Sequence, residues 1–407
     1  MSPPLHRTRR RVLSASAAAG VAGLAGCTSL LDRSSATVAG EWPSFGHNAQ
    51  NTGYVRDETA PPDTLVRLWT SETAFRNVGP AAIATETVFH VIGHRLYALD
   101  RLDGTIRWKT TVGTWGSEAP ILVDNTLYVG WSGGVRALNA ATGERVWTVD
   151  IDGGVWGAPA YADGTVIVGS NAGRGAGSII GMRDGSEDWR YEVEVGTLSG
   201  ATAVNGTAYV GTMADVGRSA EADDDTQSVF AVSTADGSEE WTFTGVSGDV
   251  SVPAVTDGRV YVSCADDHLY AIDAANGEQV WASELPVAAT SAPAVVNGVV
   301  YVGSTDGHVY ALDAASGKPT YRVDVGGPIR DGLAVVDKVD EDAQYEGWRQ
   351  RLVYAGTTDG RVAVVKTGTQ DVVSTVRLGA PISGPPFVRD RLVHVATNDG
   401  NVHVLGN

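Results

Sequence analysis

The stretch Ser291-Ala-Pro-Ala-Val-Val-Asn-Gly-Val-Val-Tyr-Val-Gly-Ser-Thr-Asp-Gly-His-Val-Tyr-Ala-Leu-Asp-Ala-Ala-Ser-Gly-Lys-Pro-Thr-Tyr321 decides the fold. Ala292 to Val296 is an apolar run that stops at Asn297-Gly298, and Val299 to Gly303 alternates before Thr305-Asp306-Gly307 turns the chain. His308 to Asp313 reads as a third strand, and Ala315-Ser316-Gly317 leads to a fourth around Tyr321. Asn-Gly and Asp-Gly between β-rich runs are strong hairpin signals, because their turns need positive φ. The same punctuation recurs at Asp163-Gly164, Asn205-Gly206, Asp257-Gly258, Asp359-Gly360 and Asp399-Gly400. Helical periodicity is absent, so the chain is all-β.

The phrase repeats. Its closing residue is Trp69, Trp108, Trp147, Trp189, Trp241, Trp281, Tyr321 and, in a degenerate last copy, about Ser374, with spacings of 39, 39, 42, 52, 40, 40 and 53 residues. A period near 40 with four strands per unit predicts a β-propeller. First strands begin near Pro80, Pro120, Pro159, Ala201, Pro253, Pro293, Gly332 and Pro386, which makes eight blades. The fourth-strand pattern at Leu65–Glu72 precedes any first strand, whereas the last unit stops after three. The N-terminal strand is therefore predicted to complete the C-terminal blade, which removes two unpaired edges at once. The closing tryptophans are read as structural docking groups: a large flat side chain on an outer strand can cover the gap between blades, burying on the order of 200 Å².

Variants of Ala-x-Asp-Ala-x-Thr/Ser-Gly-x-x-x-Trp at 137–147, 271–281 and 311–321 resemble the tryptophan-docking repeat of the pyrroloquinoline-quinone propeller superfamily, BamB-like lipoproteins included. The opening Glu41-Trp-Pro-Ser-Phe-Gly-His-Asn-Ala-Gln-Asn-Thr-Gly53 is similar to the entry segment of many such propellers, so the resemblance covers nearly all of 41–407. It implies an eight-bladed propeller and either a protein-binding scaffold or a quinone-dependent dehydrogenase. The dehydrogenases commonly combine calcium bound by acid and amide side chains, a catalytic Asp and a vicinal Cys-Cys pair. This chain has no Cys-Cys pair and no position onto which a catalytic residue can be carried, so no enzyme activity, cofactor or metal is expected.

Residues 1–26 read as an address. Arg9-Arg10 precede a weakly apolar run from Val12 to Gly26, and Leu24-Ala25-Gly26-Cys27 resembles a lipobox. The run is too short to span a bilayer, and its flanks are those of a cleaved export signal. Cleavage before Cys27 with lipid on its sulfur, a tether over 27–40 and a propeller over 41–407 are expected. The protein would leave by the twin-arginine route and sit lipid-anchored on the outer face of the cell membrane. Cys264, the other cysteine, falls at a strand end and reads as a small core residue.

Acidic residues number 48 against 30 basic, a net charge of −18. Four of the arginines (Arg7, Arg9, Arg10, Arg11) lie in the signal, and only Lys109, Lys318, Lys338 and Lys366 are lysines. Such a surface repels nucleic acid and itself, and needs screening to stay compact. Acid-rich, lysine-poor composition behind a twin-arginine signal resembles exported proteins of extreme halophiles, archaea among them, and predicts unfolding in low salt.

No catalytic constellation stands out. His268 and His308 open equivalent third strands and read as a tolerant surface position, not a ligand pair. Asp150–Gly153 lacks the remaining ligands of a calcium loop, and Asn205-Gly206-Thr207 coincides with a hairpin turn. Departures from the repeat are more informative. Residues 171–178 and 213–228 enlarge blades three and four between second and third strands, and 338–351 enlarges blade seven between first and second. The blade-to-blade connections carry Arg76, Trp115, Trp156, Arg330 and Asp331, with Trp131 on the same face. Exposed aromatics and arginines are enriched at binding hot spots. These six residues form the candidate face for a protein partner at the cell surface. The alternative reading is a small-molecule or glycan module that uses the central funnel, and the structural explanation of the tryptophans is that they plug that funnel or pack under neighbouring loops.

Overall fold

A computed structural model describes residue 46 and residues 48–58, 64–72, 78–113, 119–173, 176–194, 197–213, 227–287, 289, 291–339 and 349–407. The expected signal, Cys27, the tether, Arg76, Trp115 and most of the 213–228 and 338–351 insertions lie outside these residues. The described chain is all-β and forms eight sheets. Blade six is Ala294–Val296, Val299–Gly303, His308–Asp313 and Pro319–Asp324, and blades one to five repeat its antiparallel order.

Local chemistry sets each hairpin. At the first kind of turn both residues are left-handed, as at Asn297 (φ 47°) and Gly298 (φ 75°). The Asp-Gly turns between second and third strands differ from expectation: at Asp306-Gly307 only the glycine has positive φ, 87°. There the Asp carboxylate accepts the N–H of His308 at 3.1 Å, closing an Asx turn that spares the aspartate the strained conformation.

Each docking tryptophan lies against a glycine of the next blade. Built Cβ atoms at Gly104, Gly143, Gly237, Gly277 and Gly317 would come within 2.5–2.8 Å of Trp69, Trp108, Trp189, Trp241 and Trp281 respectively. The indole N–H then donates to a carbonyl of the same turn, Trp241 to Ala274 at 3.0 Å and Trp281 to Ala314 at 3.1 Å. A second-strand tyrosine supports the ring from below: Tyr261 and Trp281 centroids are 6.0 Å apart, and the Tyr261 hydroxyl meets the same Ala314 carbonyl at 3.5 Å. Blade five is thus clasped to blade six by an indole, a phenol and a bare glycine.

Ring closure follows the strand count. Val66–Glu72 pairs antiparallel with Asn401–Gly406 and completes blade eight, from Val66 opposite Gly406 to Glu72 opposite Asn401. A fifth strand was not expected. Tyr54–Glu58 adds to the innermost edge of blade seven, parallel to Ala334–Val339, with Tyr54 opposite Val335. The insertion at 171–178 also differs from a loop: it extends the hairpin of Thr165–Gly173 and Ala176–Arg183, with Asn171 opposite Gly177 and Gly173 opposite Ala176. Cys264 is fully buried in the core between blades four and five, where burial pushes its thiol pKa up, as befits a packing residue.

Candidate functional site

The turn at Gly46–Gly53 packs against the inner strands of three blades. Asn48 and Asn51 fold Gly46–Gly53 into a compact turn: Asn51 N–H donates to the Asn48 carbonyl at 2.9 Å and Gly53 N–H to the Gly46 carbonyl at 2.9 Å. The Asn48 side chain closes it, accepting Thr52 N–H at 3.0 Å. Three carbonyls of this turn then cap the inner strands of three blades. Val255 N–H donates to Gln50 at 2.8 Å, Val295 N–H to Thr52 at 2.9 Å and Val335 N–H to Gly53 at 2.8 Å. Tyr54 secures the exit by donating to the Asp337 carboxylate at 2.9 Å, which Arg351 holds from the other side at 2.7 Å. Sequence reasoning placed this stretch as an entry segment but not on the axis. The signal available was Asn51-Thr52-Gly53 ahead of a run with no blade of its own.

On the face that carries the blade-to-blade connections, Trp156 stands 44% exposed. Its connection is pinned on both flanks. Asn171 N–H donates to the Gly154 carbonyl at 3.2 Å, and a Cβ at Gly157 would strike the Ser199–Gly200 backbone at 2.5 Å. The indole N–H turns back to the Gly153 carbonyl at 3.4 Å, so the apolar ring is presented in a set pose. Trp131 is placed differently. Its ring fills the space above Gly113 and Gly133, where built Cβ atoms would come within 2.2 and 2.3 Å, and the Arg136 guanidinium lies 4.5 Å above its centroid. Trp131 therefore packs between blades one and two instead of offering an open platform. Arg330 is exposed, whereas the neighbouring Asp331 is recessed: burial pushes its carboxyl pKa up, opposed by a backbone hydrogen bond from Gly384 and by Arg330.

Acids on the same face are engaged within their own turns. Asp266 accepts from His268 N–H at 3.1 Å and Tyr270 hydroxyl at 2.8 Å, and Asp306 repeats this with His308 and Tyr310. Asp359 is paired with Arg361 at 3.0 Å, and Asp399 accepts from Thr397 and Asn401. Burial pushes the Asp306 carboxyl up, but the bonds from Tyr310, His308 and Ser304 outweigh it and leave it below the usual carboxylate range. Among the described residues no group of three or more His, Cys, Asp and Glu side chains is arranged to hold a metal ion.

With the eight blades and the axial segment in place, comparison with known proteins becomes informative. A family model described as outer membrane protein assembly factor BamB matches in overlapping stretches over residues 62–210, 131–247 and 225–370. The chain belongs to this family. BamB of Yersinia pestis is 31% identical over 116 residues, which cover 27% of this chain and 28% of that relative. The structure of BamB from Moraxella catarrhalis aligns with TM-score 0.62 at 19% identity, covering 84% of this chain and 98% of that one. A europium-containing methanol dehydrogenase aligns with TM-score 0.73 at 15% identity, covering 90% and 98%. The quinohemoprotein alcohol dehydrogenase of Comamonas testosteroni gives TM-score 0.69 at 17% identity, covering 92% and 82%. Similarity at such identities establishes shared fold, and fold alone does not select between a scaffold and an enzyme.

A quinone with its cation would need several acid or amide donors converging on the axis. Three described side chains of the Gly46–Gly53 turn and its partner strand are already engaged. The Asn51 amide donates to the Pro253 carbonyl at 3.1 Å, Asn48 is spent on its own turn, and Asp337 is neutralised by Arg351.

Proposed function

We propose that the protein is a non-catalytic scaffold that presents the connection face of its propeller to protein partners. We place it on the outer face of a cell membrane, exported by the twin-arginine route and anchored through lipid on Cys27, in a halophilic, archaeal setting. Membership of the BamB family supports a protein-binding role. The observation that carries it is the half-exposed indole of Trp156 on the connection face, its N–H turned back to the Gly153 carbonyl. A pre-oriented aromatic contributes contact area with little ordering entropy to lose. The bonded inner edges of blades five to seven disfavour the funnel reading for a small molecule or glycan.

Crosslinked pull-down from native membranes, with Trp156→Ala and Arg330→Ala compared to the parent, tests the reading. Loss of at least one specific partner with unchanged melting is expected. Identical partner profiles for all three proteins would remove this face from consideration. A dye-linked alcohol assay with added quinone and calcium separates the enzyme class, since turnover above a heat-killed control would contradict a non-catalytic role.

A further inference from the structure

The clasp that joins neighbouring blades is altered at the seam where the ring closes. Lining up the repeats, Phe89, Tyr128, Ile167, Tyr209, Tyr261, Tyr301 and Tyr354 share one second-strand column, and blade eight has His394 there. Trp69 still lies on Gly104, and its ring meets the His394 ring edge-on with centroids 6.5 Å apart. An imidazole is shorter than a phenol, so His394 does not itself fill the space that Tyr209 and Tyr261 fill in their blades, and the buried Arg101 side chain lies close to it. The residue that supplies the accepting carbonyl elsewhere, Ala274 or Ala314, is replaced by Arg101.

Polar atoms are stranded around this space. Trp69 Nε1, Arg101 Nε and both ring nitrogens of His394 are buried without a hydrogen-bond partner. His90 faces them from blade one. It lies on its strand between Val88, packed with Val395 and Phe387 of blade eight, and Ile92, packed with Ala396 and Val402. His90 Nδ1 meets the Gly79 carbonyl at 3.1 Å, while Nε2 has no partner. Both histidines are fully buried. Buried polar groups are paired in native proteins, so a set of this size calls for an occupant.

We infer that the seam between blades eight and one binds a small monovalent anion of the halide class together with a proton, held by Trp69, His90, Arg101 and His394. The proton goes to His90 Nε2, because Nδ1 already donates to Gly79. The anion then accepts N–H bonds from His90, His394, Trp69 and Arg101, and uptake is electrically neutral. Without it burial holds both rings neutral, with His394 further disfavoured as a cation by Arg101 and His90. The charged groups packed at the seam are Arg101, its partner Asp390 at 2.6 Å and Arg389, which reaches the same carboxylate at 3.4 Å; Tyr97 is the remaining titratable side chain in the seam cluster.

Thermal unfolding in sodium chloride and in sodium gluconate at equal molarity, at pH 5 and pH 8, tests this. Chloride at ten times its Kd should raise Tm by about 2 °C over gluconate in a chain of this size at pH 5, and by clearly less at pH 8. His394→Tyr, which restores the phenol of the other repeats, should lose the pH-dependent increment. Equal increments at both pH values, or the same increment in the variant, would overturn the site. If the variant fails to fold, crystals of the parent grown in bromide at pH 5 decide it: an anomalous peak between His90 and His394 supports the site and its absence refutes it.

Discussion

Gly277→Ala should cost far more stability than Gly258→Ala, although the two glycines have nearly the same backbone. Their φ values are 74° and 72°, so each alanine incurs the same left-handed penalty of roughly 1–2 kcal/mol. Their surroundings differ. A Cβ at Gly258 meets nothing within 4 Å, whereas one at Gly277 lies 2.8 Å from Trp241 Cδ2 and Cε3. The indole cannot retreat without losing its bond to the Ala274 carbonyl and its contact with Tyr209, centroids 5.8 Å apart. Overpacking of this kind adds about 1–3 kcal/mol, giving roughly 2–5 kcal/mol at Gly277 against 1–2 at Gly258. With an unfolding entropy near 2.1 cal/mol/K per residue, the difference corresponds to about 1–4 °C in Tm. Urea unfolding in molar sodium chloride, followed by tryptophan fluorescence, gives the two free energies directly. Equal losses at the two positions would refute the reading of the tryptophan as a docking group that requires a bare glycine.

Deleting the chain through Glu72 removes the outer strand of blade eight with Trp69, together with Tyr54–Glu58 and the Gly46–Gly53 turn; melting by circular dichroism in molar salt should shift down by several degrees, and an unchanged curve would contradict both the closure and the pairing of Tyr54–Glu58. Raising sodium gluconate from dilute buffer to molar concentration should raise Tm steeply, as a net charge of −18 is screened; a flat response would count against the halophile reading. In chloride-free gluconate, stability should fall as pH drops from 6.5 towards 4.5. His90 and His403 are pulled down to about 4 and His394 to about 3, chiefly by burial, so the unfolded chain takes up protons first. Each histidine contributes a slope of up to about 1.4 kcal/mol per pH unit in that window, and His394→Tyr should remove one such share in a urea titration.

The blades, their number and their closure were legible because turn residues and tryptophans repeat at fixed offsets, and geometry allows few ways to satisfy them. The axial strand was not. Tyr54–Glu58 carries no turn signal linking it to Ala334–Val339, almost 300 residues away, and parallel pairing leaves no mark in either sequence. Trp131 and Trp156 looked alike as departures from the repeat. Only coordinates separate the ring wedged over Gly113 from the ring left in solvent. His394 was legible in principle, as the one basic residue in a column of aromatic and aliphatic side chains. Its isolation was not, because unpaired nitrogens are a property of neighbours.

Closing the ring with the first outer strand also fixes when folding can finish. Glu72 pairs with Asn401, so the contact that completes blade eight spans 329 residues and forms only after residue 401 has been made. Contacts of such separation are slow to form, since loop closure must precede any reward. Val66–Glu72 and Tyr54–Glu58 therefore emerge from the ribosome long before their partners and wait as unpaired edges. A nascent chain cut short before residue 401 leaves Val66–Glu72 without its partner strand, and one cut before residue 334 leaves Tyr54–Glu58 unpaired as well. Closure of the ring therefore waits on the synthesis of Asn401–Gly406.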